Sequence, residues 1–188
     1  DFEADLLLKE VQERVVAVLR MAEALSQKYH VVVANPPYMG RKGMNGQINN
    51  WLKSNYERSK IDTFAAFIER GCVLVRKFGY NAMVTMESWL FLSSYQDMRE
   101  HLLKETSFQS MVHMPYLGRG GTSMGISFGT AAFVLEKGAP HPDEALVTCI
   151  RFYETDEQGV PFAFPTENER LSRIDPRMFL SVPGSPIA

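Results

Sequence analysis

The tetrapeptide Asn35-Pro36-Pro37-Tyr38 constrains this chain more than any other feature, because it follows directly on the apolar run Val31-Val32-Val33-Ala34. The run reads as a strand over Tyr29 to Ala34, and its β-branched side chains suit burial on both faces. Two consecutive prolines remove two backbone donors, so sheet pairing must stop there. Each proline also pushes the residue before it away from helix. What results is a stiff, extended elbow just past a strand's carboxyl end, where open α/β sheets place their ligands. The elbow offers a side-chain amide oxygen on Asn35, a backbone carbonyl on Pro36 and an aromatic face on Tyr38. Two acceptors beside a stacking plane suit a flat ring that carries an exocyclic amino group. The competing reading is a proline turn with a surface tyrosine.

The rest of the chain reads as alternating helices and strands. Leu7, Val11, Val15, Val18, Leu19, Ala22 and Leu25 recur at helical spacing and predict an amphipathic helix over 4–28. Residues 39–50 hold three glycines and predict a mobile loop, with a short helix over 51–59. Asp62 or a neighbour caps a second long helix that runs to about Lys77, with Phe64, Phe67, Ile68, Cys72 and Val75 as its buried stripe and Gly79 as its stop. Strands are expected over 80–86, 108–114 and 129–136, with a helix from Ser93 or Ser94 to about Glu105. The last two of these strands are joined by the glycine-rich loop 118–125, which makes them antiparallel. A further strand is expected within 145–153. The stretch 156–188, rich in proline and polar residues, reads as a connector with one short helix started by Asp175-Pro176.

Five segments resemble a known family. Asn35-Pro36-Pro37-Tyr38 is similar to motif IV of the amino-methyltransferases that use S-adenosylmethionine. Ser54-Asn55-Tyr56 and Asp62 through Gly71 resemble the helix that follows it in adenine-specific DNA methyltransferases. Phe78 through Leu90, with its Trp89-Leu90 exit, and Tyr95 through Leu103 resemble their next strand and helix. The nearest likeness is to the PglX-type enzymes of BREX phage-defence systems, with type IIG restriction-modification enzymes beside them. It covers residues 25–140 well and the tail more loosely.

The resemblance implies an α/β fold: the carboxyl half of a Rossmann-like class I methyltransferase sheet, strands four to seven, with an antiparallel final pair. It places 1–140 in that catalytic half and 141–188 in a connector toward a downstream target-recognition region. The chain lacks an initiator methionine and ends inside a family-like segment, so it reads as a fragment that is inactive alone. The implied activity is methyl transfer from S-adenosylmethionine to adenine N6 in duplex DNA, on a base flipped out of the helix. Asn35, Pro36, Pro37 and Tyr38 are the implied catalytic residues, and Asn35 also faces the cofactor. The cofactor's main glycine-rich loop is expected upstream, since Gly118-x-Gly120-Gly121 follows the wrong strand and opens no helix.

Many relatives clamp the base with a second aromatic, which falls here near Thr122. Tyr116 and Phe128 are the nearest substitutes, and Phe128 also reads as core. Arg41 and Lys42 begin a run of five basic residues against one acidic residue between Tyr38 and Lys60, on the path a DNA backbone would take. A solvated loop explains that run equally well. Trp89, Thr85 and Glu87-Ser88 sit where they could touch the cleft, but packing is the preferred reading of Trp89 and strand-end capping of the others; His30, His101, His113 and His141 show no metal-like spacing and are assigned no role.

Composition adds bounds. The chain has 188 residues, 45% apolar and 22% charged, with a formal net charge of −2. That suits one globular domain. Two cysteines make neither a disulfide framework nor a metal site, and no apolar run approaches the ~20 residues of a membrane span. The cytoplasm is the expected compartment, with other defence-system proteins as further partners. A protein-glutamine methyltransferase uses the same tetrapeptide and is the alternative enzyme, and a non-catalytic DNA-binding or partner-binding homologue is the alternative of another class.

Overall fold

The computed structural model describes residues 2–114, 128–138, 147–151 and 171–187. Helix α1 (Phe2–Ser26) leads into strand β1 (Tyr29–Ala34), then α2 (Gly46–Asn55), α3 (Thr63–Leu74) and β2 (Val75–Met86). A 3-10 turn (Glu87–Leu90) and α4 (Gln96–Glu105) precede β3 (Thr106–Met114). Strands β4 (Thr130–Lys137), β5 (Val147–Arg151) and β6 (Leu171–Ile174) and a short α5 (Arg177–Ser181) complete the described elements. The sheet runs in the order β1-β2-β4-β3-β5-β6. β1 pairs with β2 in parallel, and β4 is antiparallel to both of its neighbours, as expected for the final strand pair.

One face of the sheet is filled by α3 and α4. Phe64 and Ile68 of α3 and Met98 and Leu102 of α4 pack on Met83, Phe133 and Leu135. Burial of each such side chain stabilises by roughly 1.5–3 kcal/mol. The other face carries a shallow apolar trough of ~270 Å³ lined by Val33, Val84, Val112, Ala132 and Val134.

That open face corrects the expectation that β1 is buried on both sides. Val32 and Ala34 pack on the core, whereas Val31 and Val33 are 52% and 76% exposed. Among the described residues the outer edge of β1 is unpaired, and β1 bonds to β2 alone. A bare sheet edge calls for a pairing strand, a covering element or association. Among the described residues nothing pairs with it, and α1 leaves Val31 and Val33 exposed. The apolar stripe of α1 is itself exposed, from Val11 at 56% to Leu19 at 63%. The helix is tied in through its carboxyl end, where Ala24 O accepts from Tyr29 Oη at 2.6 Å and Leu25 O from Arg70 Nη2 at 3.1 Å.

Three boundaries differ from expectation. The helix expected over 51–59 begins at Gly46, because Asn45 Oδ1 caps it by accepting from Ile48 N at 2.9 Å. Helix α3 stops at Leu74, not Lys77, and passes straight into β2. Gly79 therefore does not end a helix. It lies at a bulge where Tyr29 pairs with Val75 and Val31 with Tyr80, and where Phe78 takes φ 62°. A Cβ on Gly79 would stand 2.5 Å from His30 O, so close strand approach is what the glycine permits. Phe67, expected in the buried stripe, is 44% exposed; Ala65 takes up core space instead.

Within the stretch read as a connector, β6 pairs with β5 and the chain's end returns to the core. Asp175 Oδ1 accepts from Arg177 N at 2.9 Å and starts the expected short helix α5. Arg99, 1% exposed, donates to Trp89 O (2.8 Å), Leu92 O (2.6 Å), Gly184 O (2.6 Å) and Ser185 O (3.0 Å). Ile187 is 2% exposed and its N–H bonds to Leu90 O at 2.8 Å.

Candidate active site

The elbow begins where the prolines end β1. Asn35 and Pro37 are exposed and Pro36 is buried. The elbow is bolted to the start of α3 by three contacts. Thr63 Oγ1 donates to Pro37 O at 2.6 Å, Thr63 N to Met39 O at 3.2 Å, and Met39 N to Asp62 Oδ1 at 2.9 Å. The same carboxylate oxygen caps α3 by accepting from Phe64 N at 3.3 Å. One acidic side chain thus joins elbow and helix, as a charge-assisted cap does when its carboxylate faces orphan N–H groups.

Tyr38 folds back beneath the elbow. Its hydroxyl lies 3.1 Å from Asn35 Oδ1 and 3.3 Å from Val84 O, so it donates toward both acceptors. Burial pushes its pKa upward, which keeps the hydroxyl a donor. The hydroxyl orients the Asn35 amide and leaves the oxygen a second lone pair for a ligand. Phe64 stands edge-on to Tyr38 with centroids 6.1 Å apart, and Phe128 does so at 5.3 Å and 88°. Tyr38 and Phe128 are therefore neighbours, but perpendicular ones. A base between two rings needs near-parallel planes about 7 Å apart, twice the carbon contact distance, so Tyr38 and Phe128 do not form a closed slot in this arrangement.

The other anticipated residues fall as follows. Arg41 and Lys42 are exposed on the turn that Gly43 N closes on Gly40 O at 2.9 Å. Among the described residues neither has a carboxylate partner, in contrast to Arg58, which faces Glu69, and Lys60, which faces Glu57. Tyr95, 3% exposed, lies near Asp62 and Arg41. Burial and the Asp62 charge raise its pKa, against smaller opposing effects of its bond to Ser88 and of Arg41. Trp89 is fully buried against Phe108 and Phe133 and donates to Thr85 Oγ1 at 2.9 Å, so both Trp89 and Thr85 serve packing. Tyr116, Thr122 and the loop 118–125 lie outside the described residues.

Sequence reasoning gave His113 no role and took Glu87 for a strand-end cap. The structure joins them: His113 Nε2 and Glu87 Oε2 are 2.6 Å apart, with side chains only 8% and 17% exposed. Only the placement of each at a strand's carboxyl end hinted at this. No helix among the described residues is long and apolar enough to cross a membrane.

Comparison with known proteins now bears on this geometry. Residues 5–117 match the model of the Eco57I restriction-modification methylase family. The chain is 35% identical over 192 aligned positions to the adenine-specific methyltransferase BrxX of Escherichia coli O9:H4 (strain HS), covering 99% of this chain and 15% of that protein. It is 33% identical to the adenine-specific methyltransferase PglX of Lacticaseibacillus casei (strain Zhang), covering 91% of this chain and 14% of that one. The chain therefore spans about one seventh of the length of these relatives. Among solved structures, the methyltransferase subunit of a type I restriction-modification system from Streptococcus thermophilus superposes with a TM-score of 0.52 at 18% identity, over 72% of this chain and 29% of that one. At that identity the match speaks for the fold alone, a Rossmann-like α/β methyltransferase sheet.

Proposed function

This chain belongs to the Eco57I restriction-modification methylase family, and on that premise we propose that its elbow is the base-binding half of an adenine N6-methyltransferase site acting on duplex DNA in phage defence or restriction-modification. In this reading residues 1–140 are the carboxyl half of the catalytic domain, and the remainder leads toward target recognition. The observation that carries the reading is the bond from Tyr38 Oη to Asn35 Oδ1, which orients the amide oxygen of a proline-stiffened elbow at a strand's carboxyl end.

Adenine's exocyclic nitrogen is a weak nucleophile because its lone pair is delocalised into the ring. Asn35 Oδ1 and the Pro36 carbonyl would accept its two hydrogens and favour a tetrahedral nitrogen whose lone pair is free to attack. Pro36 and Pro37 hold these acceptors at fixed angles, so little reorganisation is needed at reaction. Tyr38 would stack on a base drawn out of the helix, with Phe128 against its edge. Arg41 and Lys42, exposed and without carboxylate partners among the described residues, would meet the phosphate backbone. S-adenosylmethionine, when bound, supplies the methyl group. Asn35 is the residue assigned here to face it, and among the described residues no glycine-rich turn between a strand and a helix is there to cradle it, so the rest of its binding is assigned to residues other than these.

The test is to incubate the intact protein with duplex DNA and labelled S-adenosylmethionine, beside Asn35→Ala, and to digest the product to nucleosides. Label in N6-methyladenosine that vanishes in the variant supports the reading. Label on a protein glutamine, with none on DNA, overturns it.

A further inference from the structure

Glu87 and His113 lie at the carboxyl ends of β2 and β3, and β4 runs between those strands. Strands separated by a third stand about 10 Å apart. Contact across that gap needs two long side chains and empty space above the middle strand. Gly129, just before β4, supplies the space, since a Cβ there would overlap the Glu87 carboxyl group. The Glu87 backbone N–H donates to Gly129 O at 2.9 Å, and its carboxylate meets His113 Nε2 at 2.6 Å. Glu87 thus holds the amino end of β4 through its backbone N–H, while its carboxyl group lies over Gly129 on the way to His113 of β3.

The pair is costly if it serves stability alone. Desolvating a carboxylate and an imidazole costs several kcal/mol, and apolar residues of similar volume commonly stabilise as well or better. His113 Nδ1 and Thr130 Oγ1 are moreover buried without a hydrogen-bond partner among the described residues. The residue before Gly129 is Phe128, whose ring meets Tyr38.

We propose that Glu87 and His113 are positioning residues for the base pocket: their bond keeps the Glu87 carboxyl group packed over Gly129, beside the backbone bond from Glu87 N–H to Gly129 O, and so fixes the adjoining Phe128 ring against Tyr38. This rests on the reading of Tyr38 and Phe128 as base-contacting residues. His113→Leu removes the partner of the Glu87 carboxylate; the carboxylate then swings toward water, and the Phe128–Gly129 step keeps only its backbone bond.

The test is a double-mutant cycle on the intact protein, with N6-methyladenine formation and thermal unfolding both measured. His113→Leu lowers kcat/KM by about 10- to 100-fold, the scale of an ångström-sized misplacement. His113→Gln, which keeps a donor for Glu87, restores most of it. In a Phe128→Leu background, His113→Leu costs nothing further, because the ring it positions is gone. Losses that multiply in the double variant, a glutamine no better than leucine, or wild-type kinetics in His113→Leu each overturn the proposal. If His113→Leu fails to fold, Glu87→Gln takes its place in the cycle. A wild-type protein that makes no N6-methyladenine defeats the methyltransferase reading itself, and this inference with it.

Discussion

Replacing Arg99 with methionine keeps the length and apolar stem of the side chain and removes its donors. Two of its bonds go to Gly184 O and Ser185 O, on the far side of an 85- to 86-residue separation. Hydrogen bonds from a charged donor contribute about 1.5–3 kcal/mol each. Without them the docked end keeps the burial of Ile187, about 2 kcal/mol, and the bond from its N–H to Leu90 O, about 1 kcal/mol. Detachment returns the freed carbonyls to water, which caps the loss near the lower end of the two-bond range, at about 3 kcal/mol. That is about a hundredfold in the opening constant. Amide hydrogen exchange reads it directly, because the Ile187 N–H is closed only while the tail is docked. Exchange at Ile187 accelerates about a hundredfold in Arg99→Met, while amides in the middle of β4 stay protected. Arg99→Lys, with one ammonium in place of a planar fork, falls between. Unchanged exchange at Ile187 would refute the clamp, and so would equal acceleration in β4, which would make Arg99 a general core residue.

Further outcomes follow from the site. Asn35→Ala lowers methyl transfer by about 10²- to 10³-fold, the usual cost of removing one preorganised polar group, with little change in melting temperature because Asn35 is exposed. Tyr38→Phe, which loses only the 3.1 and 3.3 Å contacts, costs several-fold less activity than Tyr38→Ala, which also loses a stacking face worth about 1–3 kcal/mol. Asp62→Ala removes the cap of α3 and the tie to Met39 N together and destabilises by about 1–2 kcal/mol in thermal unfolding. The buried Tyr95 phenol has its pKa raised above the ordinary value of 10.0. The unfolded chain therefore loses that proton first, and the stability it contributes is intact below about pH 10 and lost as pH rises further. Tyr95→Phe flattens this alkaline loss in pH-dependent unfolding, while an unchanged profile would assign the loss elsewhere.

Local rules made much of this molecule legible. The prolines ended β1 at Ala34, Asp62 capped α3, and the alternation of apolar residues located β3 and β4 within two residues. Where such rules misled, a long-range contact had decided the matter. Gly79 carries the usual signal of a helix end, but its neighbour is His30 O across a strand pair. The stripe of α1 and Val31 and Val33 of β1 have the pattern of buried elements, yet among the described residues nothing covers them. β6 is only four residues long, and its existence depends on pairing with β5. At the site, the elbow and Tyr38 were readable because their chemistry is contiguous in sequence. The Glu87–His113 bond spans 26 residues and three strands, through a space left by a glycine, and no local pattern announces it.

The side of β1 that no described residue pairs with bears on the elbow. A strand that came alongside it would close like a zip, one N–H and carbonyl at a time, as far as Ala34. Pro36 and Pro37 bring no N–H to continue the seam. Past that stop the two chains must part, and the fork between them opens beside the exposed Asn35 amide. The tetrapeptide thus sets more than the direction of two acceptors. Any neighbour that joins this edge would form a crevice beside Asn35, and the length of the shared seam is fixed in advance by where the prolines begin.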